Sequence, residues 1–394
     1  MCLIIILLFL SNIVVVKSTI KLSIPGQNLT QFSVKSSKNI THLYLDYREI
    51  DVIDADYFAE YSSLILISLT HNNITFIHPQ AFSHLGKLAL IDLSHNFLKE
   101  FPPLQIRSLV VINASYNLIT SLSSASFRHL SKLQEVIVNH NKIYKVNDDI
   151  IHHQQNIKSL VLKGNQIQEF PTLIYDYYFN IDFSENFIKS ISRKHFRNSK
   201  KIWFLNISSN FIEEIPYDTF KDVQSINFID LSNNCIKEFN AYIPANLHGL
   251  DLSKNKIVRF GSKLFENRDH FQSINLGENR LETLDPGLFS NFTLHSHHKV
   301  SSCIHNRIHL DFSNNKLPVI DEYMLLPVLK TNCYYHSLHS YFQGNPLNCS
   351  DCKMKWILDL PAGNYSCSSC NVFGYCSSNQ KSIASLSQDQ FQHC

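Results

Sequence analysis

The sequence has little charge, little glycine and little proline. Charged residues make up 17% of the 394 residues, the formal net charge is +2, and glycine and proline number 10 and 12. This composition excludes a disordered or collagen-like chain. Because no block of Lys and Arg is present, the chain also lacks the charge pattern of a nucleic-acid-binding protein. The 44% of hydrophobic residues instead predicts a packed interior.

Long apolar runs are also absent, except at the amino terminus from Leu3 to Val16. Small Ser18 follows that run, so residues 1–18 are expected to be a signal peptide. An uncleaved anchor is the alternative, because no positive charge precedes the run. No later segment reaches the roughly 18 to 20 apolar residues that cross a bilayer. We therefore expect a secreted, extracellular protein without a membrane span after signal removal.

Catalytic motifs are missing too. The sequence has no Gly-rich phosphate loop, no GxSxG and no HExxH, so we expect no enzyme activity and no cofactor. Asparagine sequons fit the secretory route. Eight asparagines begin an Asn-X-Ser/Thr triplet and are predicted glycosylation sites: Asn28, Asn39, Asn73, Asn113, Asn206, Asn291, Asn348 and Asn364.

The sequence is rich in one repeated pattern, LxxLxLxxNxL, seen first as LILISLTHNNI from Leu64 to Ile74. Its asparagine recurs at positions 72, 96, 117, 141, 165, 186, 210, 234, 255, 279, 315 and 345, and Arg48 occupies the slot in a degenerate first repeat. From 48 to 279 the steps are 24, 24 and 21 residues, three times over, and then 24. A fixed period of this length is typical of a stacked repeat array.

Each recurring position has a physical role. The two apolar residues of LxL point to one side of a short strand, and parallel strands about 4.8 Å apart would join them into one core. The asparagine amide can donate to and accept from backbone groups that lose their partners where the chain leaves the strand. Ten residues after this slot, long repeats place Phe58, Phe82, Phe127, Phe196, Phe220, Phe265 and Phe289, with Ile151 as the substitution. We expect a buried phenylalanine spine.

Outward-facing strand positions supply the candidate binding residues. The slot inside LxL is rich in Asp and Asn, whereas the slots before it carry exposed apolar residues. Such residues are typical partner anchors. The candidates are Leu66, Leu90, Val111, Trp203, Phe204 and Phe228.

The repeat resembles the leucine-rich-repeat superfamily, and the 24-24-21 super-period resembles small leucine-rich proteoglycans and insect secreted or Toll-like ectodomains. The resemblance implies an α/β repeat solenoid: a curved horseshoe with a parallel β-sheet on its concave face and short helical or extended segments on its convex face. We expect a cysteine-free N-terminal cap at 19–40 and about 13 repeats at 41–345. Residues 346–394 would form a cysteine-rich C-terminal cap.

The C-terminal segment GNPLNCSDCKMKW resembles the C-flanking cap of extracellular repeat proteins. By that resemblance Cys349 pairs with one cysteine of a middle group and Cys352 pairs with Cys394. Two members of the middle group, Cys367, Cys370 and Cys376, would then pair or stay free. Two Cys-x-x-Cys pairs could also bind zinc, but an oxidising compartment favours disulfides.

Two further cysteines lie twelve residues before the asparagines of consecutive repeats, Cys303 before Asn315 and Cys333 before Asn345. Regular stacking would bring their Cα atoms within disulfide range, so we predict a Cys303–Cys333 bond. Cys235 is expected to be an unpaired, partly buried thiol. An insertion near 292–306 is rich in histidine, with His295, His297, His298, His305 and His309 in or beside it. A solvated loop is favoured there over a zinc or copper site.

These features lead to a secreted, non-enzymatic scaffold that binds an extracellular protein or glycan in matrix, adhesion or immune recognition. A soluble form of a Toll-type receptor ectodomain is the alternative, and a metal-binding protein is a third hypothesis. A homodimer is a further option. Asn113 and Asn206 complicate a concave binding face, because glycans there would obstruct it.

Overall fold

A computed structural model of the chain describes residues 21–23, 39–55, 57–148, 150, 156–173, 177–197, 199–261, 264–265, 271–290, 307–330, 337–360 and 369–394. The chain folds as two compact units. The first reaches Ile119 and includes Ser126–Ile137, and the second comprises Thr120–Ala125 and Val138–Cys394.

Most regular structure is short parallel strand. In chain order the strands are β1 Lys21–Ser23, β2 His42–Tyr44, β3 Val52–Ile53, β4 Leu66–Ser68, β5 Phe76–Ile77, β6 Leu90–Asp92, β7 Val111–Asn113, β8 Ser121–Leu122, β9 Glu135–Ile137, β10 Lys145–Val146, β11 Ser159–Val161, β12 Phe179–Asp182, β13 Lys201–Asn206, β14 Ser225–Asp230, β15 Glu238–Phe239, β16 Gly249–Asp251, β17 Arg259–Phe260, β18 Ser273–Asn275, β19 Arg307–Asp311, β20 Ser337–Tyr341 and β21 Ser369–Phe373.

Both units stack one strand per repeat, side by side and parallel. In the first unit the order is β1-β2-β4-β6-β7-β9, and in the second it is β11-β12-β13-β14-β16-β18-β19-β20-β21. Two-stranded parallel pairs, β3 with β5 in the first unit and β8 with β10 and β15 with β17 in the second, lie outside these sheets. The predicted parallel repeat solenoid is confirmed.

Helices are few and short. Among the described residues they are α1 Arg193–Phe196 and α2 Glu322–Leu329, and the 3-10 segments are Ser124–Phe127, Cys352–Asp359, Ile383–Ser385 and Gln388–Phe391. Within the described ranges, no helix has the length and apolar character needed to span a membrane. The return segments are mainly turns and extended chain, as a 21- to 24-residue repeat requires.

Strand register puts the LxL residues on one side. Leu43, Ile67, Ile91 and Ile112 are aligned across neighbouring strands, and each is fully buried. The phenylalanine spine is also confirmed for all seven phenylalanines, none more than 1% exposed, while Ile151 lies outside the described residues. Successive rings touch: the centroids of Phe196 and Phe220 are 5.2 Å apart. The core therefore continues from repeat to repeat.

The asparagine slot behaves as expected from its chemistry. Asn96 accepts from the backbone N–H of Ile74 at 3.0 Å, and its amide donates to the carbonyls of Leu69 and Leu93 at 2.9 and 3.0 Å. The same bonds recur along the array. Each asparagine joins its own repeat to the preceding one, so the slot is structural.

The residue directly before the asparagine slot, which Arg48 fills in the first repeat, has a left-handed backbone. Its φ is between 51° and 58° at eleven non-glycine positions, among them His71 and His95, and it is 70° at Gly164 and 72° at Gly344. Histidine, asparagine and glycine tolerate this conformation better than β-branched residues do. The turn directs the side chain away from the core, so each repeat with a residue other than glycine in this position places one outward side chain beside its buried asparagine slot.

The C-terminal cap is closed by disulfides. Cys349 is bonded to Cys376 and Cys352 to Cys394, which agrees with the pairing implied by the family resemblance. Cys370 is disulfide-bonded as well. The indole N–H of buried Trp356 donates to the Ile320 carbonyl at 2.9 Å, so the cap is fixed to the last repeats.

Candidate functional site

The first unit's sheet has an outer face, which is the side opposite the buried LxL residues. This face carries a short apolar column. Leu66, Leu90 and Val111 are direct neighbours across β4, β6 and β7, and each is half-buried. Glu135 continues the column on β9, where burial raises the pKa of its carboxyl group. The three predicted residues thus do lie together on one surface.

A larger group lies on the second unit's sheet. Trp203 is 44% exposed, and its ring meets those of Tyr178 and Phe228 edge to face, at 5.9 and 6.2 Å between centroids. Phe204 pairs with Phe228 across β13 and β14. We call Tyr178, Trp203, Phe204 and Phe228 the aromatic cluster. It contains all three residues that the sequence predicted in this half of the chain.

Gly249 makes room for the cluster. It is the direct neighbour of Phe228 on β16, and a Cβ atom on it would lie 2.9 Å from Cδ1 of Phe228. The ring therefore leans over a strand position that has no side chain, towards His248 at 5.6 Å between centroids. Any larger residue at position 249 would push the ring away.

A cation already sits against the cluster. The ammonium of Lys201 lies 5.3 Å from the centre of the Tyr178 ring, within the range of a cation–π contact. Neither residue was predicted from the repeat pattern. Tyr178 precedes its strand, and the register shift between Phe179 and Asn180 that helps to place it is not visible in the repeat pattern.

Carboxylates border the aromatic cluster on the same face. Asp182, Asn206, Asp230 and Asp251 follow one another in register, and Asp230 lies two residues beyond Phe228. We call Asp182, Asp230 and Asp251 the aspartate column. Oδ1 of each accepts from the backbone N–H of the serine two residues on, at 2.9 Å.

Asp230 is the most perturbed member of the aspartate column. Burial raises the pKa of its carboxyl group, and the charges of Asp251 and Asp182 add to that effect, while hydrogen bonds from Ser232 oppose it. A carboxylate that has lost water and has carboxylates for neighbours favours a positively charged ligand.

The sequons divide into two groups. Asn39, Asn73 and Asn348 are exposed, whereas Asn113 and Asn206 are half-buried on strands of the sheet. Oδ1 of Asn206 accepts from both the backbone N–H and the hydroxyl of Ser208, at 3.0 and 2.7 Å. Asn28, Asn291 and Asn364 lie outside the described residues.

Sequence reasoning missed a surface stack of four rings in the first unit. Tyr47, His71, His95 and Tyr116 come from four successive repeats, with centroids 4.4, 4.1 and 4.3 Å apart and interplanar angles of 19° or less. All four occupy the left-handed slot before the asparagine. That slot was a signal in the sequence, since it holds Tyr, His, His and Tyr in order.

Burial lowers the pKa of His95, and the charge of His71 lowers it further, while Asp92 acts in the opposite direction. Adjacent stacked imidazoles cannot both take up a proton without repulsion. The neutral form is therefore favoured in this stack.

Metal binding is not supported in the C-terminal cap. Among the described residues, Cys352, His393 and Cys394 are the one set of three metal-capable side chains that lie together, and both sulfur atoms belong to the same disulfide. Cys235 is a free cysteine of intermediate exposure, 3.3 Å from the Lys256 ammonium. The partly buried thiol predicted at position 235 is thus present.

Several predictions fall on residues that the structure does not describe. Cys303, Cys333 and Cys367 lie outside the described residues, as do His295, His297, His298 and His305 of the insertion and residues 1–18. His309 is described, and it lies on β19 with its ring 4.8 Å from that of Tyr341.

Several solved structures share this fold. A chain of the octameric complex of Latrophilin 3, Unc5D and FLRT2, in which FLRT2 supplies the leucine-rich repeats, matches 84% of this chain and 91% of its own, with 20% identity and a TM-score of 0.63. The leucine-rich-repeat domain of APL1 matches 81% of this chain and 76% of its own, with 16% identity and a TM-score of 0.57. A chain of the Drosophila Toll–Spatzle complex matches 90% of this chain but 52% of its own, with 17% identity and a TM-score of 0.56.

No curated protein sequence matches the chain. Two family models do: the leucine-rich repeat matches residues 38–98 and 245–295, and the BspA-type leucine-rich-repeat region matches residues 105–212. Together these segments cover more than half of the sequence. With its parallel solenoid, its buried asparagine slot and its disulfide-bonded cap, the chain belongs to the leucine-rich-repeat superfamily.

Proposed function

We propose that this protein is a secreted, non-enzymatic scaffold that binds an extracellular protein through the outer face of its sheet. The observation that carries the proposal is the aromatic cluster. Large aromatic rings that stay exposed on a rigid sheet are typical binding hot spots, because burying them gains hydrophobic free energy with little loss of side-chain freedom.

The related structures support a protein partner. FLRT2 is assembled there with Latrophilin 3 and Unc5D, and Toll with Spatzle. Matrix, adhesion and immune recognition are the settings in which we place the function. A glycan ligand and a homodimer stay predictions.

The experiment is an interaction screen of the tagged protein against a library of extracellular proteins. Trp203→Ser and Phe228→Ser should each abolish the hits. Phe187→Ser and Phe211→Ser are matched controls, because these two phenylalanines are 46% and 48% exposed and stack on each other away from the strands. Hits that survive the first pair but not the second would move the binding face off the sheet.

Glycosylation has to be compatible with this face. We propose that Asn39, Asn73 and Asn348 carry glycans and that Asn113 and Asn206 do not, since only the first group is exposed away from the sheet strands. Peptide mapping with and without glycosidase measures this directly. Occupancy of Asn206 would oppose binding at the neighbouring aromatic cluster.

The Toll-type alternative is favoured by one observation, the likeness to a chain of the Toll–Spatzle complex over 90% of this chain. In that case the chain would be the ectodomain-like part of a receptor. Transcripts that continue beyond the codon for Cys394 into a membrane-spanning segment would support this alternative.

A further inference from the structure

We infer that the aromatic cluster and the aspartate column together form a recognition site for an arginine side chain of the partner. The inference rests on the proposed function, because both use the outer face of the same sheet. It adds the chemical class of the group that the partner presents.

The strand geometry places aromatic and acidic groups side by side. Phe228 and Asp230 are two residues apart on β14, so their side chains point to the same face with Cα atoms about 7 Å apart. Asp251 is the register neighbour of Asp230 on β16, one strand spacing of about 4.8 Å away. A side chain that lies on the Phe228 ring can therefore reach two carboxylates.

The aromatic half of the site already binds a cation within this chain. Lys201 lies 5.3 Å above the Tyr178 ring, while Trp203, between Tyr178 and Phe228, keeps 44% of its surface exposed. A second cation can be accommodated at the Trp203 and Phe228 end of the cluster. Ring quadrupoles attract cations most strongly at tryptophan.

Among the residues that the structure describes, none of the charged neighbours of Asp230 is basic. Among the described residues, the side chain of Asp230 is held by hydrogen bonds from Ser232, and its charged neighbours are Asp251 and Asp182. Removing water from this carboxylate without a cation is unfavourable. A cationic ligand would offset that cost.

Arginine fits this combination better than lysine or a metal ion. Its planar guanidinium stacks on aromatic rings and presents five N–H donors to carboxylates, whereas an ammonium keeps its water more strongly. A metal ion would need several oxygen ligands converging on one point, and the described residues hold no such group of three at this place.

Trp203 provides the readout for a direct test. The chain has two tryptophans, and the other, Trp356, is 5% exposed with its N–H bonded inside the protein. The probe is the blocked tetrapeptide Gly-Arg-Arg-Gly, and its control is the same peptide with citrulline, which has the shape of arginine without the charge. We expect the arginine peptide to change the tryptophan emission at millimolar concentration and the citrulline peptide to bind at least about fivefold more weakly.

Three variants sharpen the test. Asp230→Asn should weaken the arginine peptide about fivefold, and Lys201→Met, which removes a competing positive charge, should tighten it about twofold. Asp311→Asn is the matched control, because Asp311 fills the same slot three strands away and bonds its serine in the same way. It should change the affinity less than twofold.

The outcomes separate this inference from the proposed function. Equal binding of the two peptides, or an Asp230→Asn variant that binds as well as wild type, overturns the arginine site. If the partner hits nevertheless disappear with Trp203→Ser, the proposed function stands without it. If the peptide discriminates as expected while the hits survive Trp203→Ser, the arginine site stands and the proposed location of partner binding fails.

Discussion

The asparagine slot allows a quantitative prediction, and Asn210 in the second unit is the best place to make it. Its Oδ1 accepts from the backbone N–H of Ile188 at 2.9 Å, and its amide donates to the carbonyls of Phe183 and Ile207 at 3.0 and 3.2 Å. Asn210 is 5% exposed, so water cannot replace these bonds without the repeats opening.

The loss in free energy of unfolding for Asn210→Ala depends on which backbone groups keep a hydrogen-bond partner. The Phe183 carbonyl still accepts from Asn186, and the Ile207 carbonyl still accepts from Asn234. The Ile188 N–H, by contrast, loses its acceptor and is left buried, which costs about 1–3 kcal/mol. With the weakened carbonyl bonds and the small cavity, we expect a total loss of about 2–4 kcal/mol in the free energy of unfolding.

The assay is urea denaturation followed by circular dichroism and tryptophan fluorescence, with the free energy compared only where the two transitions coincide. Gln166→Ala is the control, because it also removes an amide but from an exposed position, and should change stability by less than about 0.5 kcal/mol. Hydrogen exchange at the Ile188 amide should accelerate in Asn210→Ala. A variant as stable as the Gln166→Ala control would refute the structural role of the slot.

Three further predictions concern the cap, the ring stack and the spine. Cys394→Ser removes the disulfide to Cys352, which links residues 42 positions apart, and should destabilise the cap by up to about 4 kcal/mol. The loss should appear as faster proteolysis of the C-terminal segment under non-reducing conditions, and unchanged proteolysis would contradict it. The pKa of His95 is lowered in the folded state, so the stability of the protein is highest above the ordinary histidine pKa and falls as the pH drops from there through the lowered pKa of the folded state. His71→Asn should raise the pKa of His95, measured by exchange of the imidazole C2 hydrogen, and an unchanged value would exclude the coupling. Phe220→Ala should cost about 3–5 kcal/mol in chemical denaturation because the ring is fully buried, and a loss below about 1 kcal/mol would show that the spine is not packed.

The fold could be predicted because its determinants are local and repeated. An asparagine at a fixed spacing and an LxL strand meet the same environment in every repeat, and a phenylalanine ten residues on does so in the long repeats. Twelve copies of the asparagine make a weak signal strong. The cap pairing of Cys349 with the middle group also followed, but from resemblance and not from spacing.

The candidate site was only partly predictable, because the rest of it depends on side-chain placement across repeats. Trp203, Phe204 and Phe228 stood out as apolar residues in outward slots. Tyr178 did not, since its ring reaches Trp203 only through the irregular start of its strand. Asp230 was visible as an aspartate, yet aspartate is common in this slot, so the sequence did not show that this carboxyl group is the buried one two residues beyond Phe228.

The stack of four rings and the aromatic cluster both use outward positions of the repeat. This explains why specificity can be added without disturbing the fold. In the stack, four rings occupy the one outward position that the left-handed turn creates, and their backbone N–H groups keep the same bonds as every other repeat, as His71 to Ser94 and His95 to Ser115 show. In the aromatic cluster, Phe204 and Phe228 lie on the outer face of strands whose inward-facing residues are buried, as in the other repeats. Because the core slots carry the stability, the outward slots can change one at a time. Recognition in this protein should therefore be altered by substitutions that leave its unfolding free energy nearly constant, and the paired measurement of peptide binding and urea stability for Asp230→Asn is the direct comparison.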